Sequence, residues 1–423
     1  MGLTLGYLLS QHGFKVHILE KQPQIGGLST WFDYEEFIWD KYYHVILKSD
    51  AHLIKLIDEL GLRDKLYWKA TKTGFLWKGQ HLSMSNYREF LRFPVLNLFQ
   101  KFRLGSGILY SRYFSDPERL ESIPAHQWLS KVFGKKVYHA IWEPLLESKF
   151  GVLKDKVPAT IIASTLNRYY STRSKGEGME HMGHLWGEGL KSLLKALENK
   201  IVLNGGIIEC AIQVNEVKTE SNKVKVLTET HSFEFDGLIS TLPNVFLKKL
   251  ASNVRFISQR DSVPEFLGVI RLALVLDKPL SPYYVTNLID RGLPYTGIIE
   301  VSALTDPKEL EGWHLVMIPR YDVPSSLWFQ KSDREIYDTF ISSLKKTWPD
   351  IESSIAHHFV HREKIVQALW IETPPSCQEP TRSEDHKIWS INAELAGRDT
   401  LNNNALVGVA YNIKNTLLEA FSS

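Results

Sequence analysis

Cysteine is nearly missing from this sequence: Cys210 and Cys377 are its 2 copies among 423 residues. Two thiols so far apart exclude a disulfide framework and a cysteine-based metal cluster, and they suit a reducing compartment, so the expected location is the cytoplasm and no metal site is expected. An excess of one charge is missing as well. Lys and Arg number 50 against 48 Asp and Glu, a net +2 that supplies no field for a nucleic-acid partner. Long hydrophobic runs are also lacking. The longest apolar strand-like stretch, Phe266 to Leu276, is short and interrupted by Arg271, so nothing spans a bilayer. What is present is ordinary for globular domains: 43% hydrophobic and 23% charged residues, in a chain long enough for about two or three domains with large cores. Tryptophan is abundant at 12 copies, which suggests a substrate region lined with flat apolar surfaces, although core filling is the commoner use.

The stretch that organises the rest is Met1 to Gly27, MGLTLGYLLSQHGFKVHILEKQPQIGG. Leu3, Leu5, Leu8 and Leu9, with Gly2 and Gly6 among them, predict a short helix stopping near His12-Gly13. Phe14 to Leu19 predicts a strand that ends in the acidic Glu20. A carboxylate at the C-terminal edge of a parallel strand accepts both hydroxyls of an adenosine ribose and repels a 2′-phosphate, which favours FAD or NAD over NADP. Gly26-Gly27 then lets backbone approach a pyrophosphate without a Cβ in the way.

Glu20, the KQPQI spacer and Gly26-Gly27 resemble the second half of the FAD fingerprint in the flavin amine oxidase and protoporphyrinogen oxidase superfamily, which also holds phytoene desaturases and, more distantly, UDP-galactopyranose mutase. There a strand and a GxGxxG turn precede the first helix, and Gly2 stands where the turn's last glycine would be. The first strand and the first two glycines are missing. Burying the side chains of such a central strand contributes about 6–15 kcal/mol, comparable to the roughly 5–15 kcal/mol net stability of a typical domain. The expectation is that Met1 is an internal methionine of a longer frame, or that the gene is a decayed fragment. The resemblance implies that FAD is the cofactor and that Gly2, Glu20, Gly26, Gly27 and the adjoining Leu28 hold it.

Further elements follow in the family's order. Leu28 to Leu47 reads as a hairpin or loop passing the flavin, and its Asp40, Tyr42, Tyr43 and His44 fall where relatives carry acidic, aromatic and His residues near the isoalloxazine; His44 is a candidate catalytic residue, a surface strand the competing reading. Tyr87 to Phe114 mixes Arg88, Arg92, Lys101, Arg103 and Arg112 with aromatics. It is either a lid or substrate-domain helix pair, or a stretch making peripheral membrane contact. Ile141 to Gly151, IWEPLLESKFG, matches a signature of a bacterial branch of the superfamily; Glu143 and Lys149 either aim charge into a cavity or form a buried pair. Val214 falls where the family holds adenine through backbone groups, and Phe235 to Pro243, FDGLISTLP, resembles its D-x-V-I-x-T-x-P strand.

On the strand from Phe266, Arg271 aligns with the lysine that reaches flavin N5 in amine oxidases. A fixed cation there would stabilise reduced flavin, and Arg cannot act as a base; an arginine at the solvent edge of a strand is the competing reading. Near the end, Asp399, Asn403 and Asn404 match a D-R-G-T-N-N-A pattern whose helix N-terminus faces flavin and pyrophosphate, with Leu401 in the glycine's place. The expected architecture is α/β and amine oxidase-like, with the first βα turn missing. A discontinuous Rossmann-like FAD-binding domain (1–75, 183–250 and 385–423) adjoins a mixed-sheet substrate-binding domain (76–182 and 251–384). The expected activity moves a hydride from a small-molecule substrate to flavin N5. Its alternatives are a flavin-dependent isomerase like UDP-galactopyranose mutase, hinted at by Arg320 with Tyr321, and a flavin-free remnant.

Overall fold

The computed structural model describes residues 1–170, 180–257, 263–371, 379–396 and 401–422. Its largest element is a seven-stranded mixed sheet, in the order Ile355–Leu369, Glu265–Leu276, His314–Asp322, Gly297–Glu300, Val285–Leu288, Thr73–Trp77 and Gln80–Ser83. The strand Glu265–Leu276 is apolar from Phe266 onward apart from Arg271 because it lies between two partners and is covered on both faces. On one face Ile270, Leu272 and Leu274 pack on Ile336, Phe340 and Leu344 of the helix Asp333–Leu344. That helix begins at a capping box in which Ser332 and Glu335 satisfy each other's backbone amides. At its far end the sheet closes on a tight turn, with Lys78 at φ 52° and Gly79 at φ 72° joining Thr73–Trp77 to Gln80–Ser83.

The opposite face of the sheet is covered in two patches. Ala273, Val275, Leu315 and Met317 pack against Tyr34, Phe37 and Trp39 of the hairpin Trp31–Asp33 and Ile38–Asp40. Leu267 packs instead into a helical cluster around Trp128, Leu129, Phe133 and Phe150. Between the patches the same face carries Val269, Arg271, Pro319 and Tyr321: side chains alternate along a strand, and Arg271 lies directly opposite Pro319.

The dinucleotide-type half is built from short parallel pairs. His17–Leu19 pairs with Ile207–Glu209, and Leu238–Ser240 pairs with Ile388–Ser390. Among the described residues each of His17–Leu19 and Leu238–Ser240 has a single strand neighbour, so the parallel layer is split in two. The helices Gly2–Ser10, Lys191–Leu203 and Asn403–Ser422 pack over both halves through one core that includes Leu5, Leu8, Leu197, Trp389 and Val407. Glu180–Leu185 is a strand paired with Leu66–Thr71, and a Cβ on Gly183 would stand only 3.0 Å from the Trp68 ring, so the glycine allows that pairing; a turn then leads into the helix Lys191–Leu203. Thr73–Trp77 belongs to the large sheet, so that sheet begins within the stretch assigned to the first segment of the FAD domain.

Candidate functional site

Glu20 follows directly on His17–Leu19; its backbone amide donates to the Glu209 carbonyl at 2.8 Å and its Oε1 accepts from the Gln22 amide at 2.8 Å. The Ile212 amide donates to the Glu20 carbonyl at 2.9 Å, which brings the start of the strand Val214–Glu220 alongside Glu20, and Val214 shares a cluster with Leu19. The glycine pair adopts backbone that other residues resist: Gly26 has φ 111° and Gly27 φ 56°. A Cβ on Gly26 would stand 2.6 Å from Leu194 Cδ1, whereas one on Gly27 would meet nothing within 4 Å, so the loop is clamped behind and open in front. Leu28 lies within the single turn Gly27–Ser29, and the Ser29 hydroxyl donates to Asn403 Oδ1 at 2.8 Å. The glycine loop therefore meets the N-terminus of Asn403–Ser422, where the Asn402 side chain caps the Ala405 amide at 2.9 Å. Asn404 turns elsewhere and accepts from the His52 and Leu53 amides. Gly2 opens the first helix 3.7 Å, measured from its ideal Cβ, from Thr241 Cγ2. Asp399 lies outside the described residues.

At the sheet, Arg271 is fully buried, which removes the solvent-edge reading. Its Nη1 donates to Tyr34 Oη at 2.8 Å, and that hydroxyl donates onward to the Asp40 carbonyl at 3.0 Å. Its Nη2 donates to His361 Nδ1 at 2.7 Å, so the imidazole accepts and stays neutral; burial and the guanidinium together push its pKa down to about 2. Among the described residues no carboxylate pairs with Arg271, and its Nε is buried without a hydrogen-bond partner. His44 stands nearby in the chain: its Nδ1 lies 3.7 Å from Asp40 Oδ2, beyond hydrogen-bond reach, and is buried without a partner. Asp40 spends its Oδ1 on the Leu190 amide at 2.8 Å, against Gly189. Tyr42 places its ring 5.7 Å from the Arg271 guanidinium, and burial raises its pKa. Lys41, desolvated and beside Arg271, has its pKa lowered.

The isomerase hint separates at this point. Adjacent residues of a strand face opposite ways, so Tyr321 points to the site while Arg320 is tied to Asp322 at 2.9 Å, to the Pro294 carbonyl at 3.1 Å and over the Trp328 ring. Glu143 and Lys149 do not pair. Glu143 contacts His139, Lys154 and Arg291, and Lys149 lies over the Tyr321 ring. The sequence gives no sign of His361 in the site and offers Tyr321 only through the isomerase alternative; the register of strands some 90 residues apart brings His361 to Arg271. An open cleft of about 570 Å³ between the helices Gly2–Ser10, Ala51–Glu59 and Asn403–Ser422 is lined by Tyr7, His52, Glu59 and Tyr411, and none of the expected cofactor residues reaches it.

These residues fit a flavin nucleotide: a carboxylate after a parallel strand, a glycine loop open in front, a capped helix N-terminus beside it, and buried Arg271 and His44 nitrogens that no protein atom satisfies. A family model described as flavin containing amine oxidoreductase matches residues 2–369. The chain belongs to that family. It is 21% identical over 412 residues to a 15-cis-phytoene desaturase of Solanum lycopersicum, covering 90% of this chain and 69% of the relative. With the Synechococcus elongatus 15-cis-phytoene desaturase the identity is 21% over 404 residues, covering 86% and 82%. Among solved structures, an oxidoreductase from Methanosarcina mazei superposes with a TM-score of 0.71 at 18% identity, covering 98% of each chain. Cyclohexylamine oxidase from Brevibacterium oxydans gives 0.68 at 12%, covering 100% of this chain and 97% of the other. The chain is an FAD-dependent oxidoreductase of amine oxidase-like fold.

Proposed function

We propose that this enzyme oxidises a lipophilic organic molecule bound on the sheet face between the aromatic hairpin and the helical cluster. The observation that carries this is the polar gap in an otherwise apolar face, where Arg271 is buried with no carboxylate to balance it. FAD supplies a hydride acceptor at N5 when bound. Glu20 would hold the adenosine ribose, with the Val214 backbone against adenine and Gly2, Gly26, Gly27, Leu28 and the Asn403 helix end around the pyrophosphate. Arg271 would set a fixed positive charge where negative charge gathers on reduction, held in place by Tyr34 and His361. His44 would offer its unsatisfied Nδ1 to the substrate or the ring edge. Anaerobic mixing of the FAD-loaded protein with lipophilic polyenes, porphyrinogens and amines, followed by flavin absorbance, tests the reading: bleaching by a member of one class supports it, and bleaching by none sinks it.

We further propose that the helix Leu98–Phe114 meets the lipid surface from which a lipophilic substrate would come. Its buried stripe is Lys101, Leu104, Gly107 and Ser111, with Gly107 admitting the Phe133 ring, so the aromatics are left outside. Leu98, Phe99, Phe102 and Phe114 are 70–75% exposed, alongside exposed Arg88, Arg92 and Arg112. Outward aromatics interleaved with arginines suit an anionic bilayer surface. Among the described residues no helix is long and apolar enough to cross a membrane. The reading is of a cytoplasmic enzyme that docks on lipid through this helix.

A further inference from the structure

Lys149 lies in the last turn of the helix Glu143–Phe150, and three tethers fix its place. Ser148 offers its carbonyl to the Thr296 hydroxyl at 2.7 Å; Thr296 Oγ1 accepts from the Tyr321 amide at 3.1 Å; and the Lys149 amine stands 3.0 Å from the centre of the Tyr321 ring. The Tyr321 hydroxyl shares a 2.6 Å hydrogen bond with the Tyr43 hydroxyl. Tyr321 lies on the same sheet face as Arg271, two residues along from its cross-strand neighbour, and Tyr43 follows Tyr42, whose ring faces the Arg271 guanidinium.

The charged groups around this amine are spoken for. On its own helix Glu143 and Glu147 pair with Lys154 and Arg291. The elements packed against it present Tyr321 and Tyr43, with the partly exposed Tyr169 close enough to act on both electrostatically. Among the described residues Lys149 makes no ion pair, and burial pulls its pKa down to about 7. The same burial holds the phenols protonated, with Tyr321 pushed up to about 12. A half-buried amine with no counter-ion, standing beside a paired set of hydroxyls, is a poor structural element and a serviceable proton acceptor.

We propose that Lys149 is a catalytic residue, accepting the proton that the substrate's N–H or O–H group gives up as the adjacent carbon is oxidised. Resting on the hydride-transfer reading above, the step balances. The carbon loses its hydrogen with two electrons to FAD, the heteroatom loses a proton to the lysine amine, a carbon–heteroatom double bond forms, and the ammonium returns its proton to water. The Tyr43–Tyr321 pair positions the group that loses the proton.

The test uses FAD-loaded enzyme and a compound found to bleach it. The bleaching rate of wild type should rise with pH through about 7, while Lys149→Met and Lys149→Arg bind FAD normally, bleach at least about 100-fold more slowly and lose the inflection; arginine keeps the charge and cannot take the proton. Lys149→Gln stands in if the methionine variant misfolds. Independently of turnover, the lysine Cε resonance missing from Lys149→Arg should titrate near pH 7. A resonance titrating near 10, or a methionine variant bleaching at the wild-type rate, overturns the proposal. Wild type that no compound bleaches overturns the hydride-transfer reading itself, a distinct result.

Discussion

Arg271 carries a full charge where no water reaches it, and desolvating an ion is expensive unless the surroundings return the loss. Two neutral acceptors, Tyr34 and His361, return part of it. Arg271→Met should therefore lower the potential of the bound flavin by roughly 30–60 mV, since a charge-assisted hydrogen bond is worth about 1.5–3 kcal/mol and about 1.4 kcal/mol equals 30 mV in a two-electron couple. Dye-linked reduction would check it, and an unchanged potential would detach Arg271 from the flavin. His361 gives a pH prediction. Its folded pKa lies near 2, below the roughly 6.5 of an unfolded histidine, so the unfolded chain binds the proton first. This contribution is complete above about 6.5 and is lost as pH falls toward 2, at up to about 1.4 kcal/mol per pH unit. Its imidazole NMR signal should show no protonation at pH 5. Gly26→Ala should cost about 1–3 kcal/mol, because it meets both the left-handed φ and the Leu194 methyl, and should shed FAD; thermal melting with flavin quantification reads both effects.

Elements differ in how much of their role their own residues display. The hairpin after the glycine pair, the helix from Ala51 and the turn at Lys78-Gly79 announce themselves through alternation, amphipathic spacing and turn chemistry, which are local signals. Arg271 and Lys149 do not. From the sequence an arginine in an apolar run reads equally as an edge or a core position; only pairing with Ile355–Leu369 on one side and His314–Asp322 on the other decides it. Glu143 and Lys149 looked like partners because they share a helix, yet Arg291, 148 residues away, takes the glutamate. The helix Leu98–Phe114 turns its aromatics outward because its buried stripe is made of Lys101, Leu104, Gly107 and Ser111 and holds no aromatic residue. Replacing Phe99 and Phe102 by Ser should leave melting nearly unchanged and abolish cosedimentation with phosphatidylglycerol vesicles. Retained sedimentation would remove the lipid reading.

The whole molecule joins a continuous sheet to a split one. Glu265–Leu276 is paired on both sides and buried on both faces, while His17–Leu19 and Leu238–Ser240 each keep one strand neighbour among the described residues. Hydrogen exchange should thus be slowest in Glu265–Leu276 and orders of magnitude faster in the two short strands, and mass spectrometry of deuterated peptides would show it. Uniform protection would mean the parallel layer is closed after all. Glu20, the Gly26-Gly27 loop and the Asn403 helix end are proposed to hold a flavin nucleotide against the Arg271 face. The most direct measurement is the flavin released on denaturing the purified protein after incubation with FAD, set against the same protein carrying Glu20→Ala. Wild type should release about one FAD per chain, and the variant far less. A folded wild-type protein that releases none, or a variant that retains as much, would contradict this assignment.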